Sequence, residues 1–381
     1  MADNKAPEFS AIINQADLLS VMARVNTVVE KRNTIPILSY AKVEARDGQI
    51  YFVASDLDIE IRDSIEAKDV DMDGSITVPA ATLYDIARKM AKGVDISIVS
   101  RDQRLEISAG RSNFNLPTLP PGDFPIMSQD SFESDFTMPC DTLKEIIDRT
   151  KFAISTEETR YYLNGVYLHG QDGGDNGMLR AVATDGHRLA LSQIDAPDGA
   201  QSIGGIIVPR KTILEIRRLM ESFPKDEDIR IRVSDSKIQF IIGQMTVTSK
   251  LIDGTFPDYE RVIPKENDKI MTVDGKVFAK AVDRVATIAE GKSRSIVFEI
   301  SSDSLCIKTT TNEFGSGQEE MAVEYQGDDL RIGFNAKYLA DTIAQVESET
   351  AKFHMDGPAS PMLVKDPETP GSLFVLMPLR V

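Results

Sequence analysis

Ile76-Thr77-Val78-Pro79-Ala80-Ala81-Thr82-Leu83-Tyr84-Asp85-Ile86 starts as a strand-like apolar run, meets a proline and continues with helical spacing. The chain repeats the pattern as Ile206-Ile207-Val208-Pro209-Arg210-Lys211-Thr212-Ile213-Leu214-Glu215-Ile216. A fainter third copy is Ile332-Gly333-Phe334-Asn335-Ala336-Lys337-Tyr338-Leu339-Ala340-Asp341. Proline suits a helix start because its missing N–H has no intrahelical role there. A strand-to-helix junction written three times at similar separation is the signature of an internal repeat.

A second unit opens each third of the chain. Leu18, Val21, Met22 and Val25 lie at i, i+3, i+4 and i+7, as do Leu143, Ile146, Ile147 and Thr150, and Phe278, Ala281, Val282 and Val285. Each set is the apolar stripe of an amphipathic helix. An arginine follows the first stripe residue at the same spacing each time, Arg24, Arg149 and Arg284, well round the helix from the stripe. Gly122-Asp123-Phe124-Pro125 is echoed by Gly254-Thr255-Phe256-Pro257. Alternating stretches fill the rest: 49–54, 59–65, 95–99, 104–108, 229–233, 238–243, 247–252 and 295–300. Many are separated by Asp-Gly or Ser-Asp turns. The expected fold class is α+β: three tandem domains, each with antiparallel strands and two helices. Borders fall in polar stretches, giving 1–133, 134–266 and 267–381, with residues 1–8 expected to be disordered.

Composition narrows the function. The 381 residues carry a formal net charge of -17, two cysteines far apart and three histidines. No CxxC pair, secretory leader or apolar run of about 18 residues is present, which points to a soluble, cytoplasmic, reduced protein. No phosphate-loop, HExxH or GxSxG pattern occurs. Neither a cofactor nor a metal is expected.

The acidic total argues against nucleic-acid binding unless charge is segregated. Lys and Arg do cluster on the helix candidates, at Arg24 and Arg32, Arg88 and Lys89, Lys144 and Arg149, Arg210 and Lys211, Arg217 and Arg218, and Lys280 and Arg284. Acids gather in turns such as Asp69-Val70-Asp71-Met72-Asp73. A repeat array with one basic helical face would concentrate positive charge on one surface. The turn Thr184-Asp185-Gly186-His187-Arg188-Leu189 admits two readings: Asp185 and His187 as an acid–base pair of a hydrolase, or a hydrogen-bonded hairpin turn. A repeat-built adaptor that binds only protein is a further alternative.

Several stretches together carry a family resemblance. Thr156-Glu157-Glu158-Thr159-Arg160-Tyr161-Tyr162-Leu163-Asn164-Gly165-Val166, Val182 to Ala190, Val208-Pro209-Arg210-Lys211, Ser249 to Tyr259 and Met377-Pro378-Leu379-Arg380 resemble the bacterial DNA polymerase III beta subunits, the sliding clamps. The likeness runs from about Phe9 to Val381. It implies a head-to-tail homodimer whose six similar domains close a ring, with helices lining the hole and sheets outside. Double-stranded DNA would pass through without sequence readout.

The resemblance also implies roles. Arg24, Arg32, Arg149, Arg160, Tyr161, Arg210, Lys211 and Arg284 are expected to face DNA. Leu163, Thr184, Gly186, His187, Arg188, Leu189, Pro257, Val262, Asn335, Tyr338, Ser360, Val375, Met377, Pro378 and Leu379 would form a pocket for partner peptides. The polymerase III alpha subunit, the clamp loader, other polymerases and repair proteins would share it. Ile86, Met90, Phe114 and Leu116 would meet Ile288 of a second copy at the dimer interface. No catalytic activity and no membrane contact are expected. The sequence departs from the family pattern at Ala81, Thr287 and Val381, positions that bear on dimer strength and partner affinity.

Overall fold

The computed structural model describes residues 9–30, 34–101, 104–128, 131–171, 177–201, 203–289, 294–311 and 315–380. Residues 1–8 and Arg32 lie outside that range. Six α-helices are present among the described residues: α1 Gln15–Val25, α2 Ala80–Lys89, α3 Cys140–Lys151, α4 Arg210–Leu219, α5 Gly275–Ala286 and α6 Ala336–Ile343.

The three expected junctions all form. Strand Gly74–Pro79 runs into α2, Ile206–Pro209 into α4 and Leu330–Asn335 into α6. The expected stripes are the buried faces: Leu18, Val21, Met22 and Val25 of α1, Leu143, Ile146, Ile147 and Thr150 of α3, and Phe278, Ala281, Val282 and Val285 of α5. Side-chain caps fix three helix starts. Asn14 Oδ1 accepts from Ala16 N at 2.9 Å, Asp274 Oδ1 from Val277 N at 2.9 Å, and Asn335 Oδ1 from Lys337 N at 2.9 Å. Each such cap satisfies a backbone donor that has no intrahelical partner, contributing about 1 kcal/mol. Burial of Phe278, Val282 and Val285 contributes about 1.5–3 kcal/mol each before ordering costs.

Two compact units result. The first comprises the chain up to Asp141 together with Leu214–Leu251. It holds a five-stranded sheet and an eight-stranded one. The eight-stranded sheet joins strands of the first and second repeats, because Met245–Lys250 pairs antiparallel with Ile59–Glu66 in the register Thr246↔Arg62 to Ser249↔Ile59. The second unit comprises Thr142–Ile213 and Ile252–Val381, with a nine-stranded and a four-stranded sheet. Its seam is Arg188–Asp195 paired with Ser372–Leu376, from Arg188↔Leu376 to Ser192↔Ser372. Repetition is therefore local, whereas the two large sheets run across repeat borders.

Two of the sheet edges among the described residues matter for assembly. Ser112–Pro117 ends the five-stranded sheet and Gly315–Ala322 ends the four-stranded one, both largely exposed.

Candidate functional site

The second unit builds its site on a hairpin. Met178–Thr184 pairs with Arg188–Asp195, with Thr184 opposite Leu189. Asp185 turns the chain: its Oδ1 accepts from the backbone N–H of His187 at 2.9 Å and of Arg188 at 3.0 Å. Thr184 Oγ1 donates to Arg188 O at 2.7 Å and accepts from Gly186 N at 3.1 Å. Gly186 sits at φ 86°, and a Cβ there would lie 2.8 Å from Arg160 Nη1, so the turn requires glycine.

Arg188 is the hub beneath the turn. Its Nε donates to Asp185 Oδ2 at 3.1 Å, Nη1 to Asp341 Oδ2 at 2.7 Å and Nη2 to Phe152 O at 2.6 Å. The guanidinium lies 4.5 Å from the Tyr338 ring centroid and 5.1 Å from that of Phe152. Burial raises the Asp341 pKa, but hydrogen bonds from Lys337 and Arg188 and their charges outweigh it and leave the carboxyl below its ordinary value. Arg188, expected in the peptide pocket, has its guanidinium buried and bonded within the protein. Asn335 is also partly committed, as the cap of α6, where its Oδ1 accepts from both Lys337 and Tyr338.

The C-terminal tail passes over the turn. Met377 N donates to His187 O at 2.9 Å and Leu379 N to Gly333 O at 2.8 Å. Leu163, Leu189 and Val375 fall in one apolar cluster with Val182, Leu191, Ile207, Phe256, Tyr259 and Leu363. Val262 is 44% and Met377 40% exposed, so both leave apolar surface available to a ligand. Pro257 is exposed, and Pro378, Leu379, Tyr338 and Ser360 are half-buried, with Ser360 Oγ donating to Asp356 Oδ2 at 2.9 Å. The segment carrying Pro257 and Val262 is pinned to the sheet by two aromatic residues. Phe256 stacks on Tyr167 at 4.7 Å, and the Tyr259 hydroxyl is 2.9 Å from His169 Nε2 and accepts from Arg180 Nη1 at 3.2 Å.

The His187 ring stacks on Tyr338, centroids 5.9 Å apart. It makes no hydrogen bond among the described residues, while Asp185 is spent on the turn. The acid–base pair of the hydrolase alternative is therefore not formed. No cluster of three or more His, Cys, Asp or Glu side chains could hold a metal among the described residues.

A cavity of about 620 Å³ opens beside the hub, with His187, Arg188 and Tyr338 on one side and Lys151, Thr156 and Arg210 among its other lining residues. Phe152, Lys337 and Asp341 also line it and were not picked out in the sequence. Only the Lys337–Asp341 spacing, i to i+4 on a helix, offered a local signal.

The residues expected to face DNA divide. Arg210 is exposed and its side chain has no partner among the described residues; Lys211 is exposed too. Tyr161 is 54% exposed, and Arg160 lies 3.6 Å from Glu157. Arg24 donates through Nε to Asp63 Oδ2 at 2.6 Å, and Arg284 through Nε to Glu319 Oε2 at 2.8 Å. Arg284 holds the Glu319 carboxyl below its ordinary value by hydrogen bonding. Arg149 is the correction: its side chain is only 3% exposed, within 3.4 Å of Glu347 and 3.9 Å of the fully buried Asp366, and donates to Thr369 Oγ1 at 3.1 Å. An arginine held there presents no charge to a duplex. Helical spacing alone placed it away from the apolar stripe, and the chain packs carboxylates onto that flank.

Of the interface residues, Phe114 on the open Ser112–Pro117 edge is 38% exposed, Leu116 and Met90 are half-buried and Ile86 is buried. In the second unit Ile288 is half-buried, its Cδ1 3.0 Å from where a Cβ at Gly317 would sit, so its side chain packs closely on the strand Gly315–Ala322.

Three family descriptions match the chain in order: DNA polymerase III beta subunit, N-terminal domain, over residues 9–128; central domain over 137–258; and C-terminal domain over 260–380. A beta sliding clamp from Caulobacter vibrioides is 52% identical over 371 residues, covering 97% of this chain and 99% of that protein. The crystal structure of a Caulobacter crescentus beta sliding clamp is similar with a TM-score of 0.94 at 51% identity, covering 98% of this chain and 100% of that one. A Bartonella birtlesii sliding clamp bound to griselimycin is similar with a TM-score of 0.94 at 40% identity, over the same shares.

Proposed function

The chain belongs to the DNA polymerase III beta-subunit family, as a sliding clamp for the replicative polymerase and not an enzyme, and on that premise we propose that the site on its hairpin turn binds short partner peptides. Apolar, adaptable side chains at Val262, Pro257, Met377 and Leu379 offer the anchoring surface, while buried Leu163, Leu189 and Val375 keep it from collapsing. One observation supports this most: Met377 is exposed on a tail strapped by backbone bonds to His187 and Gly333, while Val375, two residues earlier, is buried in the cluster with Leu163 and Leu189. Polymerase III alpha, the clamp loader, other polymerases and repair proteins would exchange on this one site, which favours affinities of about 1 μM. A few apolar anchors would dominate that energy.

Two copies would close head to tail. The open edge Ser112–Pro117 of one copy would add to the open edge Gly315–Ala322 of the other, with Phe114 and Leu116 approaching Ile288. Exposed strands of this kind demand cover. The closed assembly would place Arg24, Arg160, Tyr161, Arg210, Lys211 and Arg284 toward the duplex, holding it topologically through weak, salt-screened contacts that carry no sequence information. The three domains would have borders near 133 and 266. The protein would work in the cytoplasm; no helix among the described residues is long and apolar enough to cross a membrane.

The test is deletion of Met377 to Val381. The shortened protein should remain a folded dimer and lose polymerase-peptide binding in a fluorescence titration. Near-unchanged affinity would move the peptide site elsewhere.

A further inference from the structure

We propose that the first unit carries a second ligand site, a pocket for a small carboxylate with an apolar body, on the eight-stranded sheet. A cavity of about 300 Å³ is lined there by Arg62, Arg232, Gln239, Thr246, Met127 and Phe132, together with neighbouring polar side chains. That volume is at the lower end of ligand pockets.

Register places the polar floor. Arg232 is opposite Gln239, Gln239 opposite Thr248, and Thr248 opposite Glu60, so these four side chains cross the sheet in one row. Thr246, opposite Arg62, stands in the neighbouring row of the same face. Met127, Ser128 and Phe132 form the roof. Glu60, only 2% exposed, accepts from Met127 N at 2.7 Å and from Arg62 Nε at 2.6 Å. Lys237 Nζ donates to Ser128 O at 3.0 Å and to Ser128 Oγ at 2.7 Å. The Arg232 guanidinium lies 4.2 Å from the Phe132 ring centroid. Roof and floor are therefore tied together before any ligand arrives.

The cations retain donors. Arg62 commits Nε to Glu60, and its two Nη groups make no hydrogen bond among the described residues. Arg232 Nη1 donates to Gln239 Oε1 at 3.2 Å. Its Nε is buried without a hydrogen bond, the Asp135 Oδ2 oxygen lying at 3.5 Å. Asp135 is itself held by Arg230, which donates Nε and Nη2 to its two oxygens at 2.7 and 2.5 Å. Of the described residues that line the cavity, Arg62 and Arg232 are cations against one carboxylate, Glu60, in a chain of net charge -17. Such a positive island on an acidic protein attracts an anion. Planar guanidinium groups match a carboxylate in two-point contact, and Met127 and Phe132 supply an apolar wall for the rest of the ligand.

Ligand-observed NMR titration of the full chain with benzoate, acetate and inorganic phosphate tests this. Benzoate should bind saturably with a Kd of about 1 mM or tighter. Acetate, which lacks the apolar body, should bind about tenfold more weakly, and phosphate more weakly than benzoate. Arg62→Gln and Arg232→Gln should each weaken benzoate about tenfold. Thr246→Met, which keeps every charge and fills the cavity, should abolish binding, with thermal melts confirming that each variant is folded. Absence of saturable benzoate binding to the wild type overturns the proposal. So does tighter binding of phosphate than benzoate, equal binding of acetate and benzoate, or undiminished binding in folded Thr246→Met.

Discussion

Arg149 and Arg210 looked alike in the sequence, and the structure separates them into opposite predictions. Arg149→Met removes a buried cation that sits 3.9 Å from Asp366 and 3.4 Å from Glu347. Breaking a fully buried pair costs about 3–5 kcal/mol. Here Glu347 and Glu145 are mostly exposed and regain water, and Asp366 keeps hydrogen bonds from Glu347 N at 2.9 Å and Glu368 N at 3.1 Å. The estimate therefore falls to about 2–3 kcal/mol, or a drop in melting temperature of about 5–10 °C. Methionine retains most of the aliphatic packing, so the loss reports the charge and its hydrogen bonds. Arg210→Gln removes an exposed guanidinium without a partner among the described residues, and should move stability by less than about 0.5 kcal/mol. The assays are thermal melting and retention on nicked circular DNA as salt is raised. Arg210→Gln should lower the salt dependence by up to one phosphate contact per copy, a slope change of about 0.9 for each. Arg149→Met, measured where it is folded, should leave that slope unchanged. An Arg149→Met protein as stable as wild type, with weaker salt-dependent DNA retention, would refute the reasoning.

Acid should weaken the same corner of the fold. Burial alone would raise the Asp366 pKa, but hydrogen bonds from Glu347 N, Ser348 and Glu368 N and the Arg149 charge hold it below its ordinary value. Its contribution is therefore present above the unfolded pKa of about 3.9 and lost as pH falls through the folded value; acid melts of wild type and Asp366→Asn should converge there. His169 behaves differently, because burial lowers its pKa and favours the neutral ring against Tyr259. That stability is complete above the unfolded pKa of about 6.5 and declines as pH falls toward the folded value. His169→Gln should flatten this part of the melting profile, and peptide titrations at the two ends should show the wild type weakening first. Phe114→Asp should shift the protein toward monomer in sedimentation at low micromolar concentration while leaving its melt nearly unchanged, because the side chain is already 38% exposed within the chain.

The sequence showed what depends on near neighbours. Apolar residues at i, i+3, i+4 and i+7 located the buried faces of α1, α3 and α5, and the strand–Pro or strand–Asn junctions located α2, α4 and α6. Asp185-Gly186 marked a true turn because its bonds are local: Asp185 reaches only to His187 and Arg188. Long-range partners were illegible. Arg149 meets Glu347 and Asp366, Arg188 meets Asp341 and Phe152, and Arg24 meets Asp63, none fixed by spacing. The recurring arginine of each repeat is consequently an ion-paired anchor in all three places, with only Arg24 and Arg284 leaving charge near the surface. Of the peptide pocket, the apolar members were readable through the tail and the 254–263 segment. The commitment of Arg188 to the fold required coordinates.

The sheets explain how such a chain can rely on a second copy. Within the first unit the seam between repeats is a run of backbone pairs from Thr246↔Arg62 to Ser249↔Ile59, and within the second it runs from Arg188↔Leu376 to Ser192↔Ser372. Main-chain pairing is indifferent to side-chain identity, so seams of this kind survive while the repeats diverge in sequence. The same logic leaves Ser112–Pro117 and Gly315–Ala322 with unsatisfied ladder groups that water alone must cover in an isolated chain. Joined between copies, the five-stranded and four-stranded sheets would run on into one of about the width seen in each chain's larger sheets. The closing seam would then be made like the others, with one difference. It alone can open without unfolding a domain, and a ring that must be threaded onto DNA requires one such seam.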